Sequence, residues 1–254
     1  MLFVEKRGNP EGKPLVLIHG WGMHSGIWQT LLPELEAEFQ ITLIDLPGLG
    51  KSASCLPEPY DIDAVTGLLA EVAPPAALWL GWSLGGIITM AFAQRYPARV
   101  SRLITLASSP CFVERSDWSY GMDERVYSQF ESDLEATPEK TLQRFNLLQI
   151  KGGETARSDL KLLKKIKSGT DFSARGLIDS LSILRGDYRG LYQHTQIPAL
   201  HLLCELDTLA PAAMIGVLDK LPPLAQIEVL AGQSHVGFLS EPKLLADKIR
   251  MLPL

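Results

Sequence analysis

A serine set between glycines, Gly81-Trp82-Ser83-Leu84-Gly85-Gly86, is where this chain of 254 residues first places residue types at a spacing that could do chemistry. The apolar run 76–80 before it reads as a buried strand, and 87–94 after it as a helix rich in Ala, Met and Phe. A strand that turns sharply into a helix strains the residue at its apex. Glycines two residues to either side let neighbouring backbone come close. Ser83 would then stand above the strand ends with a helix N-terminus beneath it. This strand–turn–helix setting around Gly-x-Ser-x-Gly is that of an exposed nucleophile.

A serine alcohol is a weak nucleophile, so it needs a base, and the base needs an orienting acid. Following an elbow of this kind, the partners are expected in the order acid, then histidine, on loops at the carboxyl ends of later strands. Asp207, in Glu205-Leu206-Asp207-Thr208, follows an apolar strand at 200–204. His235, in Gly232-Gln233-Ser234-His235-Val236-Gly237, follows another at 226–230. Two alternatives stay open: Asp207 as the cap of a helix after Pro211, and Glu205 as the acid. The other histidines compete poorly. His24 lies in an early loop, His194 precedes a strand, His201 falls inside one, and His19 suits a structural role in the loop after the first core strand. That loop, His19-Gly20-Trp21-Gly22, supplies the Trp21 N–H, which with the Leu84 N–H would hold an oxyanion. The Trp21 indole is expected beside the substrate, packed beneath whatever covers the site. Asp45, in Asp45-Leu46-Pro47-Gly48, reads as structural.

These loops need a scaffold. Residues 15–18, 41–44, 103–106, 198–204 and 226–230 read as apolar strands, and 27–39, 61–72, 212–221 and 241–251 as helices, with Asp61 as an N-cap. Such alternation predicts a parallel sheet covered on both faces. From 111 to 188 the texture is polar, charged and helical, without a clear buried strand. An insertion of that length is too long for a loop. The expected fold is therefore an α/β-hydrolase fold: a mostly parallel central sheet with helices on both faces. Its core would be residues 1–110 and 189–254, with 111–188 an inserted helical cap.

Composition narrows the setting. At 46% hydrophobic residues the chain can bury a sizeable core, and its net charge of −5 argues against general affinity for nucleic acid. It has no long uncharged apolar stretch for a membrane span and no signal-like apolar N-terminus. Cys55, Cys111 and Cys204 are spaced for neither zinc nor a disulfide framework, which suits reduced thiols in the cytoplasm. No metal, no cofactor and no membrane or nucleic-acid partner is expected, and the chain is expected to act as a monomer.

Four stretches together resemble one family. His19-Gly20-Trp21-Gly22, Asp45-Leu46-Pro47-Gly48, Gly81-Trp82-Ser83-Leu84-Gly85-Gly86 and Ala107-Ser108-Ser109-Pro110-Cys111-Phe112 are similar to those of the pimeloyl-acyl-carrier-protein methyl ester esterases of biotin synthesis. Arg144-Phe145, Glu154-Thr155-Ala156-Arg157 and, in outline, Leu218-Asp219-Lys220 extend the likeness over nearly the whole chain. The resemblance implies hydrolysis of the methyl ester of pimeloyl-carrier protein to pimeloyl-carrier protein and methanol, without a cofactor. It also implies a substrate pocket lined by Trp21, Ser83, Leu84, Phe145, Asn146, Leu147, Leu148, Gln149 and His235, and acyl carrier protein contacts at Lys140, Arg144, Arg157 and Lys161. The family pattern has arginine at all four contact positions; lysine at 140 and 161 keeps the charge but loses the bidentate geometry. The residues alone already put Lys140 with Arg144, and Arg157 with Lys161 and Lys165, on single helix faces. Two other readings share the triad: a general cytosolic short-chain carboxylesterase and a C–C bond hydrolase. A third is a non-catalytic binding protein on the same scaffold, which an intact serine, acid and histidine disfavours.

Overall fold

The computed structural model describes residues 1–167, 172–218 and 221–252. Seven strands form one sheet: β1 (Val4–Gly8), β2 (Lys13–Ile18), β3 (Phe39–Ile44), β4 (Ala77–Trp82), β5 (Val100–Leu106), β6 (Ala199–Cys204) and β7 (Ala225–Leu230). Their order is β1-β3-β2-β4-β5-β6-β7, with β1 antiparallel to β3 and every other neighbour parallel. The helices of the sheet layers are α1 (Leu32–Leu35), α2 (Ile62–Val72) and α3 (Leu84–Arg95). Between β5 and β6 the described residues form α4 (Glu124–Ala136), α5 (Pro138–Gln149), α6 (Ala156–Lys167), α7 (Ala174–Leu184) and α8 (Arg189–Gln193). The last helix, α9 (Pro242–Met251), follows β7. None of the described helices is long and apolar enough to cross a membrane.

Period-two alternation sends neighbouring side chains to opposite sides of the sheet. Val16, Ile18 and Trp79 join the core that α2 and α3 cover, whereas Leu15, Leu17, Leu78, Leu80 and Trp82 join the core beneath α1 and α9. Both faces are buried, as a parallel sheet requires. Helix α3 is buried from Leu84 to Ala93, so the element that starts at the serine cannot drift.

The structure departs from the sequence reading in three places. The strand β1 escapes the apolar pattern because its sequence, VEKRG, is charged and it lies at the sheet edge, where charge discourages further pairing. The helix expected over 27–39 is a 3₁₀ turn, Ser25–Trp28, followed by the short α1, and Phe39 already begins β3. Pro33 is the cause: inside a continuous helix it would clash with the carbonyl four residues back, so the chain restarts there. The helix expected over 212–221 is a 3₁₀ stretch, Ala212–Val217; Asp219 and Lys220 lie outside the described residues. Asp61 does cap α2, its carboxylate accepting the Ala64 N–H at 2.8 Å.

Two buried histidines tie strand ends together. His19 Nδ1 donates to the Gly20 carbonyl at 2.8 Å, which leaves Nε2 to accept the Leu46 N–H at 2.9 Å. The loop after β2 is thereby pinned to the loop after β3, where Asp45 accepts the Ser25 and Lys51 amides at 2.7 and 2.8 Å. His201, on β6, meets the Thr105 hydroxyl at 2.8 Å. Burial pushes both imidazoles down from 6.5 to about 4. The unfolded chain therefore binds more protons between these values, so stability rises with pH across that window. The contribution is complete above about 6.5 and lost as pH falls toward 4. Urea midpoints are expected to fall steadily from pH 7 to 4.5, and less steeply in His201→Asn. An unchanged midpoint over that range would remove the neutral-histidine account.

Candidate active site

The elbow is built as the glycine spacing requires. Ser83 sits at φ 56° and ψ −121°, in the left-handed half of the map that side chains other than glycine rarely adopt. A Cβ on Gly81 would lie 2.1 Å from the Gly85 carbonyl oxygen, and one on Gly85 would lie 2.4 Å from that of Ile18. Both glycines are dictated by backbone passing against backbone. The Ser83 N–H donates to the Leu106 carbonyl at 2.9 Å, and the Ser108 hydroxyl donates to the Ser83 carbonyl at 2.8 Å.

Three side chains distant in sequence meet here. His235 Nε2 lies 3.0 Å from Ser83 Oγ, and His235 Nδ1 lies 2.7 Å from Asp207 Oδ2. All three are buried. The other Asp207 oxygen accepts the Leu209 and Ala210 amides at 2.8 and 3.1 Å, so the carboxylate is satisfied without moving from the imidazole. Glu205 turns elsewhere, accepting the Gly232 N–H at 2.8 Å. With Asp207 on Nδ1, Nε2 is the nitrogen that faces the serine and can take its proton.

The Trp21 and Leu84 amides have no acceptor among the described residues. Two free N–H groups beside a serine nucleophile are what an oxyanion needs. Trp21 itself is fixed from above. Its indole N–H donates to the Leu177 carbonyl of α7 at 2.9 Å, and its ring meets Phe130 and Phe145 edge-on at 5.5 and 5.0 Å. A cavity of about 40 Å³ lies over Ser83. Trp21, Phe112, Tyr127, Phe130, Phe145 and Leu181 make its wall apolar.

The remaining expected pocket residues spread along α5. Phe145 reaches the cavity over Ser83, whereas Asn146 lines a neighbouring one. Leu147 is exposed, Leu148 is half-buried, and Gln149 is buried with both amide atoms unpartnered among the described residues. Lys140, Arg144, Arg157 and Lys161 are all exposed, and Arg144 pairs with Asp133 at 3.1 Å.

Sequence reasoning missed the supports of the base. The Trp82 indole donates to the His235 carbonyl at 2.9 Å, across 153 positions. Alternation along β4 was the available signal, since it turns Trp82 to the sheet face that carries α9. The segment after His235 is also held: the Ser240 hydroxyl donates to Asp159 of α6 at 2.5 Å, and the Thr155 hydroxyl donates to the same carboxylate at 2.6 Å. Burial raises the Asp159 carboxyl above its ordinary range against these hydrogen bonds.

Residues 13–242 match the family model for the alpha/beta hydrolase fold. The chain is 36% identical to the pimeloyl-[acyl-carrier protein] methyl ester esterase of Edwardsiella ictaluri over 91% of its length and 89% of that protein's. It is 37% identical to the enzyme of the same name from Klebsiella pneumoniae strain 342, over 94% and 92% of the two chains. Among solved structures it is similar to an esterase from Exiguobacterium antarcticum, with a TM-score of 0.82 at 23% identity over 98% of this chain and 94% of the other. A bromoperoxidase from Bacillus anthracis matches with a TM-score of 0.86 at 22% identity, over the same shares of the two chains. At such identities these structures speak to the fold alone.

Ser83→Ala is expected to leave the fold intact and lower kcat on a short chromogenic ester by about a millionfold. Asp207→Asn should cost about ten-thousandfold by favouring the wrong imidazole tautomer, and Glu205→Gln no more than a few-fold. Purified variants assayed side by side decide it: a Glu205→Gln loss exceeding that of Asp207→Asn would move the acid to Glu205.

Proposed function

The chain belongs to the pimeloyl-[acyl-carrier protein] methyl ester esterases within the alpha/beta hydrolase fold, and from that premise we propose that it is the serine esterase that removes the methyl group from pimeloyl-carrier protein in biotin synthesis. The observation that carries the reading is the Ser83–His235–Asp207 relay, at 3.0 and 2.7 Å, buried under an apolar wall. Ser83 Oγ attacks the ester carbonyl carbon as His235 takes its proton. The carbonyl oxygen gains the negative charge between the Trp21 and Leu84 amides, at the N-terminus of α3. Collapse breaks the bond to the methoxy oxygen, which leaves as methanol with the proton from His235. Water then repeats the sequence on the acyl-enzyme and frees the carboxylate. Asp207 keeps the imidazole oriented throughout.

An apolar wall suits the methylene chain of such a substrate and gives nothing to a charged one. Its volume of about 40 Å³ has room for little more than water and not for seven carbons. In this reading α4 to α7 act as a cap, residues 111–188 over a core of 1–110 and 189–254, to which α8 belongs. The cap's side chains then part to admit the chain. The exposed Lys140, Arg144, Arg157 and Lys161 would meet the acidic carrier protein. Arg144 gives up little in doing so, because an exposed ion pair such as that with Asp133 contributes at most about 1 kcal/mol. The reading places the enzyme in the cytoplasm, where Cys55, Cys111 and Cys204 would stay reduced.

Mass spectrometry of methyl-pimeloyl-carrier protein before and after incubation is the direct test; a substrate left unchanged by enzyme active on small esters would return the chain to a general esterase. Arg144→Glu with Arg157→Glu should reduce kcat/KM for the carrier substrate at least tenfold and leave a small free ester within twofold. Screening acts over roughly 8 Å at physiological ionic strength, so the carrier value alone should fall as salt rises. Equal losses on both substrates would assign the two arginines to cap folding.

A further inference from the structure

A second cavity, of about 290 Å³, lies beside the oxyanion loop, and the ester chemistry leaves it unused. Gly22 and Met23, which follow directly on Trp21, form part of its wall, and Leu49 and Leu142 add apolar surface. Lys164 and Lys167 line it from α6, three residues apart and so on one helix face. A groove bordered by Leu147 and Leu160 shares Gln143, Asn146 and Lys164 with this cavity, so the cavity continues between α5 and α6.

Lys167 distinguishes this cavity from an ordinary surface hollow. It is half-buried, and among the described residues its Nζ makes one hydrogen bond, to Asn146 Oδ1 at 2.9 Å. An ammonium carries three donors. No carboxylate among the described residues pairs with it, although Glu139 also lines the cavity. Burial pushes its ammonium down to about 8. A cation taken from water without a counter-charge is costly, whereas an apolar side chain on the same stem would be accommodated freely here. Among the described residues, a cation without a paired carboxylate and an open volume lie at the same place.

We propose that this cavity is a second ligand site, taking an anionic group on a short apolar stem, with the anion against Lys167 and Lys164 and the stem against Met23, Leu49 and Leu142. Two sources share that chemistry: a free medium-chain carboxylic acid, and the phosphate end of a pantetheine arm. The site would be present whether or not the carrier-protein reading holds, because nothing in it depends on the triad.

The test uses the full chain carrying Ser83→Ala, so that nothing turns over, with heptanoate and 4′-phosphopantetheine as separate probes. Binding is followed by calorimetry. Occupancy of this cavity, and not the one over Ser83, is read by trace acetylation of lysines at pH 8 and peptide mass spectrometry. One probe is expected to bind saturably and slow acetylation of Lys167 several-fold. Lys167→Met should weaken it about tenfold, the usual weight of a hydrogen bond to a charged group, and Lys167→Arg should restore it. Lys167→Met retains the stem and removes a half-buried charge, so the fold should persist, as circular dichroism would verify. Protection by heptanoate assigns the site to free acids, and protection by phosphopantetheine assigns it to the arm. Failure of both probes to protect Lys167, or equal affinity in Lys167→Met, overturns the proposal. Methyl-pimeloyl-carrier protein turnover by the unmodified enzyme, measured alongside, reports separately on the esterase reading.

Discussion

The left-handed backbone at Ser83 is the constraint from which the rest of the site follows. Holding a residue other than glycine there costs about 1–3 kcal/mol. The turn persists because the elements on either side leave it no alternative. β4 is buried along its whole length, and α3 buries Ile87, Ile88, Met90 and Phe92. Each such side chain is worth roughly 1.5–3 kcal/mol on burial, so two of them offset the strain. The surrounding glycines are a consequence of the same turn. A Cβ on Gly20 would meet the Trp82 ring at 2.8 Å and Ser83 Cβ at 3.0 Å, so the oxyanion loop and the elbow touch through the absence of a side chain.

Given that apex, parallel topology delivers the other groups. The oxyanion loop follows β2, the serine follows β4, the acid follows β6 and the histidine follows β7. In a parallel sheet all four loops leave at the same edge, the carboxyl end, where ligands of open α/β sheets bind. Topology brings the residues near one another but does not set hydrogen-bond distances. That precision comes from ties that cross the layers: the Trp82 indole to the His235 carbonyl, Asp207 to its own turn, and His19 between two strand ends. Trp21 and Asp159 extend the ties to the helices between β5 and β6, one through Leu177 and the other through Ser240. Displacement of those helices would therefore be felt at both the oxyanion donors and the base.

What could be read from sequence divides along the same line. Buried parallel strands are short, apolar and bounded by glycine, and the triad loops follow directly from them, so Ser83, Asp207 and His235 were legible as a set. His19 was legible as a structural residue because its loop was. The edge strand β1 was not, since an edge is stabilised by one neighbour and carries charge. Pro33 broke a helix that apolar spacing alone continued. The apolar wall over Ser83 was only partly legible. Phe145 came from resemblance, but Phe112, the pair Tyr127 and Phe130 on α4, and Leu181 on α7 sit on three separate segments, and no spacing rule links one segment to the next. Lys167 was hidden for another reason: α6 carries lysines at 161, 164, 165 and 167, and sequence cannot say which of them turns inward.

Charge is arranged so that the ends of the reaction differ. An ester is neutral and loses little on entering an apolar cavity, and the low dielectric there strengthens the two amides that receive the oxyanion. The acid it becomes is ionised at neutral pH, and a carboxylate in the same cavity is desolvated without a counter-charge. Around Ser83 the described lining contains no lysine or arginine: those of α5 and α6 lie outside that wall. The same apolar surface that suits the ester therefore disfavours a carboxylate, so the charge that appears at the end of each turnover weakens the product's hold on that wall.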